Sequence, residues 1–133
     1  MHKDRLARQG RPVRTKRWSY GHCVDPQQSD PVLAIEKPLV NNDTALLILN
    51  RQDSQASGNI SIDFDDLYTS RYSNPTPALA YSIRDMWSKR ELGVATCCIT
   101  ISNLASHASR FLRLTPMVAK QYECDSLKFC SQV

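Results

Sequence analysis

"LAYSIRDMWSKRELGVATCCITIS", residues 79–102, carries the pattern that decides the fold. Residues 79–87 alternate, with Tyr81, Ile83 and Asp85 set against Ser82 and Arg84. That is the two-residue period of a strand. "SKRELG" (88–93) then turns the chain, with Gly93 supplying backbone freedom. "VATCCITIS" (94–102) is rich in small and β-branched residues, the composition of a second strand.

The same reading extends in both directions. "VLAIEKPL" (32–39) alternates weakly and holds Pro38, which belongs at a strand end or edge. "NND" (41–43) is a turn cluster, and "TALLILN" (44–50) is a short, continuously apolar run that fits a buried central strand. "RQDSQASGN" (51–59) is a polar loop; "ISIDF" (60–64) puts Ile60, Ile62 and Phe64 on one face. "DDLYTSRYSNPTP" (65–77) is a long loop with two prolines. "NLASHAS" (103–109) connects to "RFLRLTP" (110–116), where Phe111 and Arg113 face one way and Leu112 and Leu114 the other. Short strands with regular turn signals, and no long amphipathic helix, predict an all-β fold: an antiparallel two-sheet β-sandwich of Greek-key type. Three segments follow: an irregular basic stretch over 1–31, the sandwich over 32–116, and a polar C-terminal tail over 117–133.

The chain of 133 residues, with a formal charge of +4, has the length of one domain plus tails. Its charge is unevenly placed. Residues 1–17 hold Lys3, Arg5, Arg8, Arg11, Arg14, Lys16 and Arg17 against the single acid Asp4, so +6 resides there and the remainder sums to −2. A basic arm with only Trp18 and Tyr20 beside it lacks the aromatic platforms of a nucleic-acid surface, so no nucleic-acid partner is expected. No apolar run approaches the roughly 18 residues of a spanning helix, and no membrane association is expected. No apolar stretch follows the basic N-terminus as in a secretory signal, which leaves the compartment open.

Candidate chemistry is sparse. Asp85 and Glu91 flank a turn and could approach to the roughly 5–10 Å that a glycosidase pair needs. Three cations, Arg84, Lys89 and Arg90, surround them, an environment that opposes a proton-holding catalytic acid. "DFDD" (63–66) lacks the glycine and bidentate acid of a calcium loop. His22 and Cys23 with the distant Cys124 and Cys130 lack zinc-site spacing. Ser106-His107 has no nucleophile elbow. No catalytic residue, metal or cofactor is expected. Of the five cysteines, Cys97 and Cys98 are adjacent in a strand and should face opposite ways, one buried and one an exposed thiol. Cys124 and Cys130 are far enough apart to close a loop, without the spacing proving a bridge. Asn42-Asp43-Thr44 and Asn59-Ile60-Ser61 are N-glycosylation sequons, relevant if the chain is secreted.

Taken in order, "AIEKPL", "ALLILNRQD", "ISIDFDDL", "YSIRDMWSKRELG" and "RFLRLTP" resemble the C-terminal β-domain of α-galactosidases (melibiases) over about residues 33–116. Arg84-Asp85-Met86-Trp87, Leu92-Gly93 and Leu112-Arg113-Leu114-Thr115-Pro116 are the most specific pieces. "DRLARQGRPV" (4–13) is similar to the segment in which the family's catalytic barrel ends and its β-domain begins. Ile35 replaces the family's usual aromatic, Ala108 its glycine, and Arg5-Leu6-Ala7 its Pro-Leu-Gly; residues 117–133 match nothing in it. The resemblance implies a sandwich that stabilises a catalytic barrel, in a family that hydrolyses terminal α-galactosyl residues and is often secreted or lysosomal. Both of the family's catalytic aspartates belong to the barrel, which these 133 residues do not include, so none is carried over and the chain alone is expected to be inactive. Met1 would then open a truncated gene copy or an incomplete gene model. The resemblance makes Asp85 a turn-capping residue, Glu91 an exposed acid, and Trp87 a ring packed over the sandwich end or against a barrel. A barrel partner and self-association through exposed apolar surface are the expected contacts. The rival is a free-standing carbohydrate-binding module for an α-galactoside, with Tyr68, Tyr72 and Trp87 as candidate sugar contacts and Tyr81 a further ring. Coplanar exposed rings would favour the rival, and buried rings or a flat apolar patch would favour docking.

Overall fold

The structure, a computed structural model, describes residues 10–13, 16–19, 22–24, 32–67, 80–117 and 130–133. In chain order its strands are Arg11–Pro12 (β1), Lys16–Ser19 (β2), His22–Val24 (β3), Val32–Pro38 (β4), Thr44–Asn50 (β5), Asn59–Asp63 (β6), Ala80–Asp85 (β7), Arg90–Thr96 (β8), Cys98–Ile101 (β9), Ser109–Pro116 (β10) and Ser131–Gln132 (β11). Among the described residues they form two sheets, one ordered β1-β4-β5-β10-β7-β8 and the other β11-β9-β6-β2-β3. β10 returns from the second sheet to lie between β5 and β7, a Greek-key connection.

Between β4 and β5 the chain reverses at Val40–Asp43, where the Asp43 N–H donates to the Val40 carbonyl. Asn41 and Asn42 have φ of 61° and 64°. Positive φ at both central positions is the mirror-image turn that matches strand twist, and asparagine tolerates it better than most residues. The β7–β8 hairpin carries a bulge: Ile83 pairs with Gly93 but Arg84 with Glu91, leaving Leu92 as the extra residue. Gly93 sits beside it at φ 101°, a conformation costly for any side-chain-bearing residue.

The core fills the space between the sheets. Leu46, Ile48, Leu112, Leu114, Tyr81 and Ile83 come from the first sheet and Ile60, Ile62, Ile99 and Ile101 from the second; all are buried. Phe64 closes one side with its ring edge-on to Tyr81, centroids 4.8 Å apart. The alternation expected for residues 60–64 and 110–116 holds, as it does for Tyr81, Ser82, Ile83 and Arg84 in β7, and "TALLILN" is a central strand flanked by β4 and β10.

The structure adds short strands at both chain ends and corrects the reading of the β7–β8 turn and of the cysteines. Residues 1–31 are not uniformly irregular: β1 pairs with β4, and β2 pairs with β3 and β6. These strands are two to four residues long, too short to show a period, and pairing with their neighbours creates them. The polar end of the chain is not all tail, since β11 pairs with β9, and in parallel, so the sandwich is not wholly antiparallel. "RELG" belongs to strand β8 rather than to the turn, because the bulge at Leu92 lets the pairing continue through Gly93.

Cys97 and Cys98 do not divide into a buried and an exposed thiol. Both are buried and both are disulfide-bonded, Cys98 to Cys130. The reason is a break in the pleat: Cys97 has φ 71° and lies between β8 of one sheet and β9 of the other, so strict alternation stops there. The loop weighed for Cys124 and Cys130 is likewise not closed, since Cys130 pairs with Cys98 instead.

Candidate functional site

On the outward face of the first sheet an apolar band crosses β4, β5 and β10, where a water-facing sheet would be polar. Register places Leu33 beside Leu49, Ile35 beside Leu47, and Leu47 beside Phe111. All five side chains are half-buried, and their strand neighbours Ala34, Leu46, Ile48 and Leu112 point into the core. β5 is thus apolar on both faces, the pattern of a strand covered on both sides. Polar groups rim the band. Arg113 donates to Asp43 at 2.7 Å, and Arg84 pairs with Glu91 at 2.6 Å. Gly10 lies against this face: a Cβ there would stand 2.5 Å from Cγ2 of Ile35, so the segment entering β1 cannot carry a side chain at that point.

Trp87 extends the band at the β7–β8 turn. It is 62 % exposed, and its ring meets Phe111 edge-on at 5.4 Å and 67°. Val94 and Leu92 on the edge strand are also exposed.

Asp85 builds this turn. Its Oδ1 accepts the N–H groups of Trp87 at 2.9 Å and Ser88 at 3.1 Å, while Oδ2 receives Arg110 at 3.4 Å. Met86 N–H donates to the Phe111 carbonyl, fixing the turn to β10. Both oxygens of Asp85 are therefore occupied by scaffold donors, and Glu91 is committed to Arg84 on the surface. Asp85→Ala should cost about 1–2 kcal/mol of stability, the usual range for losing a capping side chain. Urea denaturation followed by circular dichroism would measure it; an unchanged midpoint would remove Asp85 from this role.

The remaining candidates disperse. Ser106 donates its hydroxyl to the Gln52 carbonyl, and His107 faces Asp53 at 3.2 Å with both side chains exposed, so no nucleophile–base pair exists there. Among the described residues no three His, Cys, Asp or Glu side chains gather around a metal-sized space, in the "DFDD" stretch or elsewhere. Cys130 is spent in its disulfide; Cys124, Tyr68 and Tyr72 lie outside the described residues, as do the basic residues Lys3, Arg5 and Arg8. Tyr81 is buried in the core. One organising residue escaped the sequence reading of sites. Buried Asn50 donates through Nδ2 to the carbonyls of Gln55, Leu104 and Ala105 and accepts Gln52 N–H, tying two loops together. Its place as the asparagine that closes the apolar run "TALLILN" was the available signal.

Residues 31–114 match the sequence family described as alpha galactosidase C-terminal beta sandwich domain. This chain belongs to that family. Solved structures share the fold. Alpha-galactosidase I from Mortierella vinacea aligns with a TM-score of 0.55 at 22 % identity, over 72 % of this chain and 23 % of that one. A GH27 β-L-arabinopyranosidase from Geobacillus stearothermophilus aligns at 0.59 and 17 % identity, over 86 % of this chain and 21 % of its own. A variant of that enzyme in complex with arabinose aligns at 0.58 and 18 % identity, over 83 % and 20 %. This α-galactosidase-type sandwich thus spans about a fifth of the length of these enzymes. No curated protein matches it.

Proposed function

We propose that this chain is a docking and stabilising domain that packs the apolar outer face of its first sheet against the catalytic barrel of a glycoside hydrolase. It contributes no catalytic group of its own. The observation that carries this reading is the band of Leu33, Ile35, Leu47, Leu49 and Phe111, an apolar surface that a solitary sandwich has no reason to keep. The span of one fifth of the related enzymes supports it, since the remainder of such a chain provides the cover.

Without a barrel, the purified domain should bind an apolar dye and self-associate. The variant Leu47→Lys/Leu49→Lys should stay monomeric and dark while keeping its thermal midpoint within a few degrees, because both residues point away from the core. A wild-type chain that is monomeric and ignores the dye would sink the proposal. Exposed Trp87 favours sugar binding as the second reading. Sugar-stacking modules present coplanar rings, however, and Trp87 stands at 67° to Phe111. An α-galactosyl oligosaccharide should accordingly leave the tryptophan fluorescence unchanged.

A further inference from the structure

The two sequons, which the docking role does not use, occupy sites suited to modification. We infer that Asn42 and Asn59 are acceptors of N-linked glycans. Three separate observations carry this.

The first is exposure. Asn42 is an exposed residue at the tip of the β4–β5 turn, and Asn59 is exposed at the first position of β6. Sequon asparagines belong on accessible surface. The hydroxyl residues sit two positions on, Thr44 buried in β5 and Ser61 bonded to Thr100 at 3.1 Å, so transfer precedes or accompanies folding.

The second is redox state. Cys97, Cys98 and Cys130 are all disulfide-bonded. Structural disulfides form in the secretory pathway and are rare where glutathione keeps thiols reduced. In a eukaryotic cell the compartment that makes these bonds is the one in which asparagine-linked sugars are added.

The third is placement. Ile60 faces the core, so Asn59 and Ser61 point outward from the second sheet, on the side of the molecule opposite the apolar band. Asn42 lies at the β4–β5 turn, beside the Thr44 end of β5, whereas Trp87 stands at the opposite end near Asp85. Neither glycan would cover Leu47, Leu49 or Phe111.

The transfer forms a bond between Nδ2 of asparagine and the anomeric carbon of a lipid-pyrophosphate-linked oligosaccharide. The anomeric C–O bond breaks, the lipid pyrophosphate leaves with the electron pair, and the amide proton passes to the transferase's base.

The test is intact-mass spectrometry of the protein from its native source, before and after peptide-N-glycosidase treatment. The enzyme leaves aspartate at each occupied asparagine, so peptide mapping assigns both sites. The same protein secreted from a eukaryotic host behind a leader, as wild type, Asn42→Gln and Asn59→Gln, gives a second reading. The expected result is two glycans on the wild type and one on each variant. A bare-chain mass in secreted, disulfide-bonded protein overturns the inference. A variant whose glycan count equals the wild type's overturns it for that asparagine.

Discussion

Asn50→Asp should destabilise the sandwich by about 3–5 kcal/mol and Asn50→Ala by about 2–3 kcal/mol, although aspartate is the closer match in shape. The order follows from what faces Asn50. Its Nδ2 points at the carbonyl oxygens of Gln55 at 2.9 Å, Leu104 at 2.9 Å and Ala105 at 3.2 Å. Alanine leaves these acceptors short of a donor and the Gln52 N–H without Oδ1. Aspartate keeps the acceptor but turns a negatively charged oxygen toward a ring of carbonyl dipoles in a buried site. Urea denaturation at neutral pH measures both variants, and equal losses would mean the carbonyls find other donors.

The aspartate variant carries a second signature. Burial against carbonyls raises the introduced carboxyl's folded-state pKa above its unfolded value of about 3.9. Between the two values the native state holds more protons than the unfolded one. The variant's deficit therefore shrinks as pH falls through that window and grows as pH rises. Alanine has no such group, so its deficit relative to wild type should not follow that course.

Much of this frame was legible because single residues announced it. Alternation gave Ile60, Ile62 and Phe64 and, on β10, Leu112 and Leu114 their inward places; two asparagines at a hairpin tip gave the turn. Asn50 closes the apolar run of β5, yet its role as a knot between two loops depends on Leu104 and Ala105, more than fifty residues away. No local pattern encodes that distance. The strands β1, β2, β3 and β11 escaped for a related reason: each exists because a neighbour offers an edge, and propensity is silent over two to four residues. The apolar run of β5 correctly read as a central strand. Its outward leucines were the same letters as its inward ones, and only the register with Ile35 and Phe111 shows that they make a surface.

The pairing of Cys98 with Cys130 was the least legible feature, and it leads to the other large expected effect. The double variant Cys98→Ala/Cys130→Ala should lose about 3–4 kcal/mol, the loop-closure entropy of a cross-link over a separation of 32 residues. The bond also retains β11. Through it Val133 packs against the core and donates to the Thr100 carbonyl, its own backbone oxygen receives Arg110 at 2.9 Å, and Gln132 receives Ser102. These contacts involve few residues, so the untethered strand should leave a large part of the time. Its departure bares β9 as a sheet edge, and bare edges recruit other strands. Two readouts separate the effects. The urea midpoint should fall while its slope rises, because the denatured chain without the cross-link is less compact and exposes more surface. Hydrogen exchange in β9 should quicken selectively, with β5 and β10 slowed or quickened only in step with global stability. A double variant whose midpoint matches the wild type's would show that β11 holds without its cross-link. In that case the strand pairing and the Arg110 contact are sufficient to keep the second sheet closed.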